Sequence, residues 1–181
     1  MNETTKQLKG FYRLEIFSRM EKWQYRLWFK VLNYFDANKA IEFLGKNATL
    51  KEVSVAENIF TNAGKAQMAL LAGDATAVPF TYVAVGTSNT AVAATDTTLT
   101  AEIVDTGLSR AAGTVTRITT TVTNDTYQIS KTFTATGSKT IEEVGIFNAS
   151  SAGTMLSHAL TGSKALTNND TLAITYTLKF A

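Results

Sequence analysis

Residues 114–136 read TVTRITTTVTNDTYQISKTFTAT. Two β-branched runs flank the pair Asn124-Asp125. In the first, Val115, Arg117, Thr119 and Thr121 alternate with Thr116, Ile118, Thr120 and Val122. In the second, Tyr127, Ile129, Lys131, Phe133 and Ala135 share one side. β-branched side chains fit a pleated surface, successive side chains on a strand face opposite ways, and Asn and Asp favour turns. The stretch therefore predicts a hairpin of two antiparallel strands, Thr114–Thr123 and Tyr127–Thr136.

Similar runs extend in both directions. Strands are predicted at Leu50–Val55, Phe80–Val85, Ile141–Phe147, Thr154–Leu160 and Leu172–Phe180, punctuated by Gly86, Gly162 and Asn168-Asn169-Asp170. Of 30 threonines, 26 lie from Thr76 onward, which places the β-rich part there. Short strands at turn-punctuated intervals imply a mainly β fold, an antiparallel β-sandwich of which a jelly roll is one form. One short helix interrupts it. Thr61 or Asn62 can cap residues Ala63–Ala72, with Ala66, Ala69 and Leu70 facing inward and Gly73 as the stop. Thr95-Asp96 can cap a further helical turn through Leu99 to Glu102.

The first 46 residues differ in kind. They hold 9 of the 17 Lys and Arg, 5 of the 15 acids and 10 of the 18 aromatics. From Leu14 to Phe35 the spacing predicts a helix: Ile16, Met20, Trp23, Leu27, Val31 and Tyr34 recur every three or four residues. Phe17, Trp28, Leu32 and Phe35 widen this stripe, while Arg19, Lys22, Arg26 and Lys30 form a basic one. A second helix is expected at about Ala37–Leu44, ending near Gly45. The chain then divides into a helical, aromatic and basic arm, residues 1–46, and a β-sandwich domain, residues 47–181. The apolar face of the arm could dock on the β domain. It is, however, larger than a small β domain needs as a cover, and aromatics with Arg are enriched at interfaces. Ile16, Met20, Trp23, Leu27, Trp28, Val31, Tyr34 and Phe35 are accordingly the candidate assembly interface.

Composition narrows the chemistry. There is no cysteine, so no disulfide or thiolate metal site exists, and one histidine, His158, rules out a site needing two imidazoles. His158 lies within a strand pattern and reads as a satisfied sheet residue. Glu142 and Glu143 are neighbours on a strand and face opposite ways, so they cannot act as a close carboxylate pair. Asp74, Asp96, Asp105, Asp125 and Asp170 fall at turns or caps. Asn168-Asn169-Asp170 lacks the ligand spacing of a calcium loop, and Val85-Gly-Thr-Ser-Asn-Thr lacks the lysine of a phosphate loop. These observations argue against an enzyme, a cofactor and a metal. The net charge of +2 gives little pull toward nucleic acid, and Glu15, Glu21 and Asp36 dilute the basic stripe as a membrane-surface helix. The first residues lack the apolar run of a signal peptide, and the Asn-x-Ser/Thr sites at Asn2, Asn47, Asn124, Asn148 and Asn169 fit a Thr-rich composition better than glycosylation.

One stretch carries a resemblance. Phe80-Thr-Tyr-Val-Ala-Val-Gly-Thr-Ser-Asn-Thr, followed by Ala94-Thr-Asp-Thr-Thr-Leu-Thr-Ala-Glu102 and then Arg110, resembles a pattern in small structural proteins of tailed-phage virions, of tail, collar or fibre-associated type. Thr61-Asn-Ala-Gly-Lys-Ala upstream, and Ile141-Glu-Glu-Val-Gly-Ile-Phe-Asn148 with Gly153-Thr-Met-Leu downstream, resemble their flanking segments in the same order. The resemblance spans about residues 58–181. It implies a non-enzymatic virion protein, assembled in the host cytoplasm, that acts through contacts with other virion proteins and copies of itself as a tail, collar, baseplate or fibre-adaptor subunit. A capsid decoration protein, or a module that binds a host glycan or receptor, are the alternatives.

Overall fold

The computed structural model describes residues 9–19 and 48–180. Two five-stranded antiparallel sheets pack face to face. The strands are β1 (Lys9–Arg19), β2 (Ala48–Glu57), β3 (Ile59–Phe60), β4 (Tyr82–Gly86), β5 (Ala111–Ala112), β6 (Thr114–Ile118), β7 (Thr126–Thr134), β8 (Lys139–Phe147), β9 (Met155–Leu166) and β10 (Thr171–Lys179). Sheet A runs β2-β1-β10-β7-β6 and sheet B runs β3-β9-β8-β4-β5. The mainly β sandwich expected from the sequence is the fold found.

The edges of the two sheets are joined at both sides. β2 bends at Asn58 and continues as β3 in the other sheet; β5 bends at Gly113 and continues as β6. Strands that switch sheets in this way make the corners of a sandwich, and they leave less free edge for pairing with another chain. The core lies between the sheets. Sheet A contributes Tyr12, Leu14, Ile16, Ile129, Phe133, Leu172, Ile174 and Leu178; sheet B contributes Val83, Val85, Ile141, Val144, Ile146 and Leu156. Two tyrosine hydroxyls fasten the layers. Tyr12 meets the Ser157 hydroxyl at 2.5 Å, and Tyr127 donates to the Phe80 carbonyl at 2.5 Å.

The helix α1 (Asn62–Gly73) forms as expected, with Thr61 as its cap accepting from the Gly64 amide at 2.9 Å. The Thr61 hydroxyl also donates to the Met155 carbonyl, which fixes the helix start on β9. Its inner side is not Ala66, Ala69 and Leu70, which are exposed. Gly64 is buried, and Met68 and Leu71 pack on the core. Gly64 sets this rotation: a Cβ there would lie 2.5 Å from the Leu156 carbonyl oxygen, so only glycine lets the helix approach β9 this closely.

The main correction concerns the N-terminal helix. Residues 14–19 are not its first turns but part of β1, in the middle of sheet A, paired with β2 on one side and β10 on the other. Tyr12, Leu14 and Ile16 point into the core, and Arg13 and Glu15 point out and pair with each other at 2.7 Å. Tyr12-Arg-Leu-Glu-Ile16 also fits a period of two, and the strand wins because β2 and β10 supply the hydrogen bonds that a lone strand lacks. Residues 9–19 consequently belong to the sandwich and not to a separate arm. The rest of the expected helix, residues 20–35, and the one at Ala37–Leu44 lie outside the described residues.

Strand lengths also shift. β6 ends at Ile118 rather than Thr123, because Asp125 gathers the amides of Thr120, Thr121 and Val122, each at 2.8 Å, into a turn. β9 runs on to Leu166, past Gly162.

Candidate functional site

The outer face of sheet B is where the motif residues converge. Along β4, Val83 to Gly86 are all buried, and so are Glu143 to Phe147 of β8. A strand buried on both faces needs a layer on each side. One layer is the main core; the other comes from the connection from Thr87 to Arg110, whose Leu99 lies over the outer face while its Ile103 and Leu108 pack into the main core. On the outer face Ala84, Leu99, Phe147 and Met155 form a second small core, with Tyr82 packed against it.

The connection is pinned by hydrogen bonds of three kinds. Backbone bonds run from Thr87 N–H to the Ala101 carbonyl and from Ile103 N–H to the Val85 carbonyl, each at 2.9 Å, and from Asn62 N–H at the start of α1 to the Ala94 carbonyl at 2.7 Å. The carboxylate of Glu143 accepts from the amides of Thr100 and Ala101 at 3.0 and 2.7 Å. Gly86 makes room for it, since a Cβ at that position would collide with the Glu143 carboxylate. The third kind centres on His158. Its Nε2 is 2.8 Å from Glu143 Oε2 and its Nδ1 is 2.8 Å from Asp96 Oδ2. His158 and Glu143 are buried, whereas Asp96 is about a quarter exposed, at 26%.

Asp96 does not cap a helical turn: the segment through Leu99 to Glu102 is non-helical, and Asp96 instead accepts from the Ala93 amide at 2.8 Å. Desolvation pushes its carboxyl up, but the Ala93 amide and His158 outweigh that and hold it below the usual carboxylate range.

Arg110 closes the far end. Its guanidinium grips both oxygens of Glu102 at 2.9 and 2.5 Å, donates to the carbonyls of Ala149 and Ala152 at 3.2 and 2.7 Å, and lies 3.6 Å from the centroid of the Phe147 ring. One buried fork thus ties the end of the connection to the turn after β8. A planar guanidinium with five donors suits this task where an ammonium does not.

The sequence pattern had isolated Gly86, Asp96, Leu99, Glu102, Arg110 and Glu143 without showing that they meet. The His158 link was missed: the histidine is satisfied, as expected, but by two carboxylates. Its face is set by register, since it sits opposite Gly145, two residues from Glu143 on β8. Chemically the cluster is closed. Both ring nitrogens face carboxylates, and four of the five N–H donors of Arg110 are spent on internal acceptors. Among the described residues no group of three or more His, Cys, Asp or Glu is arranged to hold a metal ion, and no helix is long and apolar enough to cross a membrane.

Of the candidate interface residues, Ile16 is in the main core at 2% exposure and is not available to a partner. Met20, Trp23, Leu27, Trp28, Val31, Tyr34 and Phe35 lie outside the described residues. The structure does fix where they are attached. Arg19 and Ala48 are register partners at the paired ends of β1 and β2, so residues 20–47 leave and re-enter the sandwich at one point.

A family model described as podophage GP4 fiber I protein gp80 matches residues 59–177, from β3 to β10 and including the whole clamped connection. The chain belongs to this family. As a gp80-type fibre protein it is a structural protein of a phage tail fibre, a component of the virion that associates with other virion proteins. The gp80 match nearly coincides with the resemblance read from residues 58–181, and it leaves out β1, residues 20–47 and β2. No curated protein and no solved structure matches the chain.

Proposed function

We propose that this gp80-type chain is a non-enzymatic fibre subunit whose sandwich is a rigid module and whose residues 20–47 attach it to a neighbouring virion protein or to another copy of itself. The observation that carries the reading is the use made of the motif side chains. Asp96, Glu102, Arg110, Glu143 and His158 are spent on one another and on backbone groups, so they fasten a surface layer and present no group to a substrate. The attachment part rests on position and composition. Residues 20–47 are inserted between paired strand ends, and they contain both tryptophans of the chain together with Lys22, Arg26 and Lys30. The interface comprises Met20, Trp23, Leu27, Trp28, Val31, Tyr34 and Phe35. A tail, collar, baseplate or adaptor position is compatible with such a module, and assembly would take place in the host cytoplasm.

The test replaces residues 20–47 by Asn-Gly, a two-residue turn suited to a hairpin. The variant is expected to fold with a melting temperature close to the parent's and to be missing from purified virions. Incorporation at the parent level would refute the attachment role. A chain that no longer folds would show that the segment covers the sandwich itself.

A further inference from the structure

We propose that His158, Asp96 and Glu143 form a proton-dependent latch that clamps the exposed connection from Thr87 to Ala101 onto sheet B. Each ring nitrogen of His158 lies 2.8 Å from a carboxylate oxygen. A hydrogen bond at each nitrogen needs a proton between each pair of heavy atoms, and a neutral imidazole carries one N–H, not two. The closed cluster therefore holds one proton more than a neutral ring and two carboxylates.

Removal of that proton leaves a nitrogen lone pair facing a carboxylate lone pair at hydrogen-bond distance, in a site closed to water around the ring. An unpaired polar contact of this kind is costly when buried. The two carboxylates would not respond equally. Glu143 is buried and also held by the Thr100 and Ala101 amides, whereas Asp96 is partly exposed and held otherwise by the Ala93 amide alone. Asp96 is the side that releases, and the exposed residues just before it go with it.

Few other charges meet the ring. Within β9 it is flanked by Ser157 and Ala159, β3 presents Ile59 opposite it, β8 presents Gly145 and Glu143, and the connection presents Asp96. Glu102 and Arg110, at the far end of the connection, are paired with each other. α1 reaches the connection through the Asn62 amide, which holds the Ala94 carbonyl and carries no charge. The latch thus responds to the proton of one cluster.

The experiment uses the full chain and its sole histidine, whose ring signals are unambiguous. Nitrogen NMR of the ring and amide hydrogen exchange are followed as pH is raised. The exchange of Ala93, Thr100 and Ala101 is read relative to the Val144 amide in β8, which cancels the intrinsic base catalysis. Protons on both ring nitrogens, or on one nitrogen with a protonated carboxyl, are expected in the clamped state. Loss of that proton at higher pH should be accompanied by at least a roughly tenfold relative gain in exchange at Ala93, which corresponds to about 1.4 kcal/mol. The parallel measurement uses Asp96→Asn, which removes one carboxylate and with it the need for the extra proton. The step should vanish in this variant while the chain stays folded. A clamped cluster with only one proton, a ratio to Val144 that stays flat throughout, or a step that persists in Asp96→Asn would each overturn the latch. His158→Gln provides a second folded background in which no step should occur.

Discussion

Replacing Arg110 by Met should destabilise the sandwich by an amount that the geometry allows one to estimate. Methionine keeps much of the apolar stem and its contact with Phe147. It removes two bonds to Glu102, two to the carbonyls of Ala149 and Ala152, and the cation over the Phe147 ring. The Arg110 side chain is only 6% exposed, so the bonds it makes are little replaced by water, and Glu102 at 21% is partly rescued by solvent. Breaking a buried pair by removing one partner costs about 3–5 kcal/mol, and the partial exposure of Glu102 places this one at the lower end, about 3 kcal/mol. For a chain of this length that is a fall in melting temperature of roughly 6–12 °C. Thermal and urea unfolding of Arg110→Met, Glu102→Gln and the double variant would measure it. The double variant should cost less than the sum of the singles by about 1–2 kcal/mol, since each single change leaves the other partner stranded. Arg110→Lys should recover only part of the loss, because one ammonium cannot span both carboxylate oxygens and both carbonyls. A loss below about 0.5 kcal/mol in Arg110→Met, the range of ordinary surface changes, would refute the reasoning.

Ile16→Ala should cost about 2–5 kcal/mol in chemical denaturation, as expected for a fully buried aliphatic side chain, and Trp23→Ala should cost far less; the reverse order would place the helix reading ahead of the strand. Acid should weaken the fold in a stated direction. The carboxyl of Asp96 lies below its ordinary value, and that of Asp125 lies far below it, chiefly through the Val122 amide and then those of Thr120 and Thr121. A carboxyl depressed by folding adds stability above its unfolded pKa of about 4 and loses it as pH falls through the folded value. Melting temperatures should therefore hold from neutral pH to about pH 5 and fall progressively below about pH 4, with a smaller acid-dependent fall in Asp125→Asn.

The fold class was legible because it rests on local pattern. The alternation in Tyr127–Ala135 and Ile141–Phe147, and the turn residues between the runs, suffice to mark strands without knowledge of their partners. The α1 cap was legible to within one residue, Thr61 or Asn62, for the same reason, as a side chain bonding to an amide a few residues on. The inner side of α1 was not, because it depends on how closely β9 approaches Gly64. The segment from Tyr12 to Phe17 shows the limit most clearly. Its apolar residues satisfy a period of two over a short window, and Ile16 also fits a period near 3.6 when joined to Met20 and Trp23. Nothing within the segment chooses between them.

For the site, the sequence by itself determined which residues were candidates: one histidine, few acids away from turns, no cysteine, and a motif running from Gly86 to Arg110. Those facts limit the chemistry whatever the fold. Only the tertiary structure decided that β1 lies between β2 and β10, that Ile16 is core and not interface, and that Asp96, Glu143 and His158 meet at one point. The physical reason is the range of the interactions. Capping and strand alternation act over a few residues and leave a mark in the local sequence. Sheet pairing and buried hydrogen bonds join positions 62 and 15 residues apart here, and their energy exists only once register has brought the partners together and excluded water.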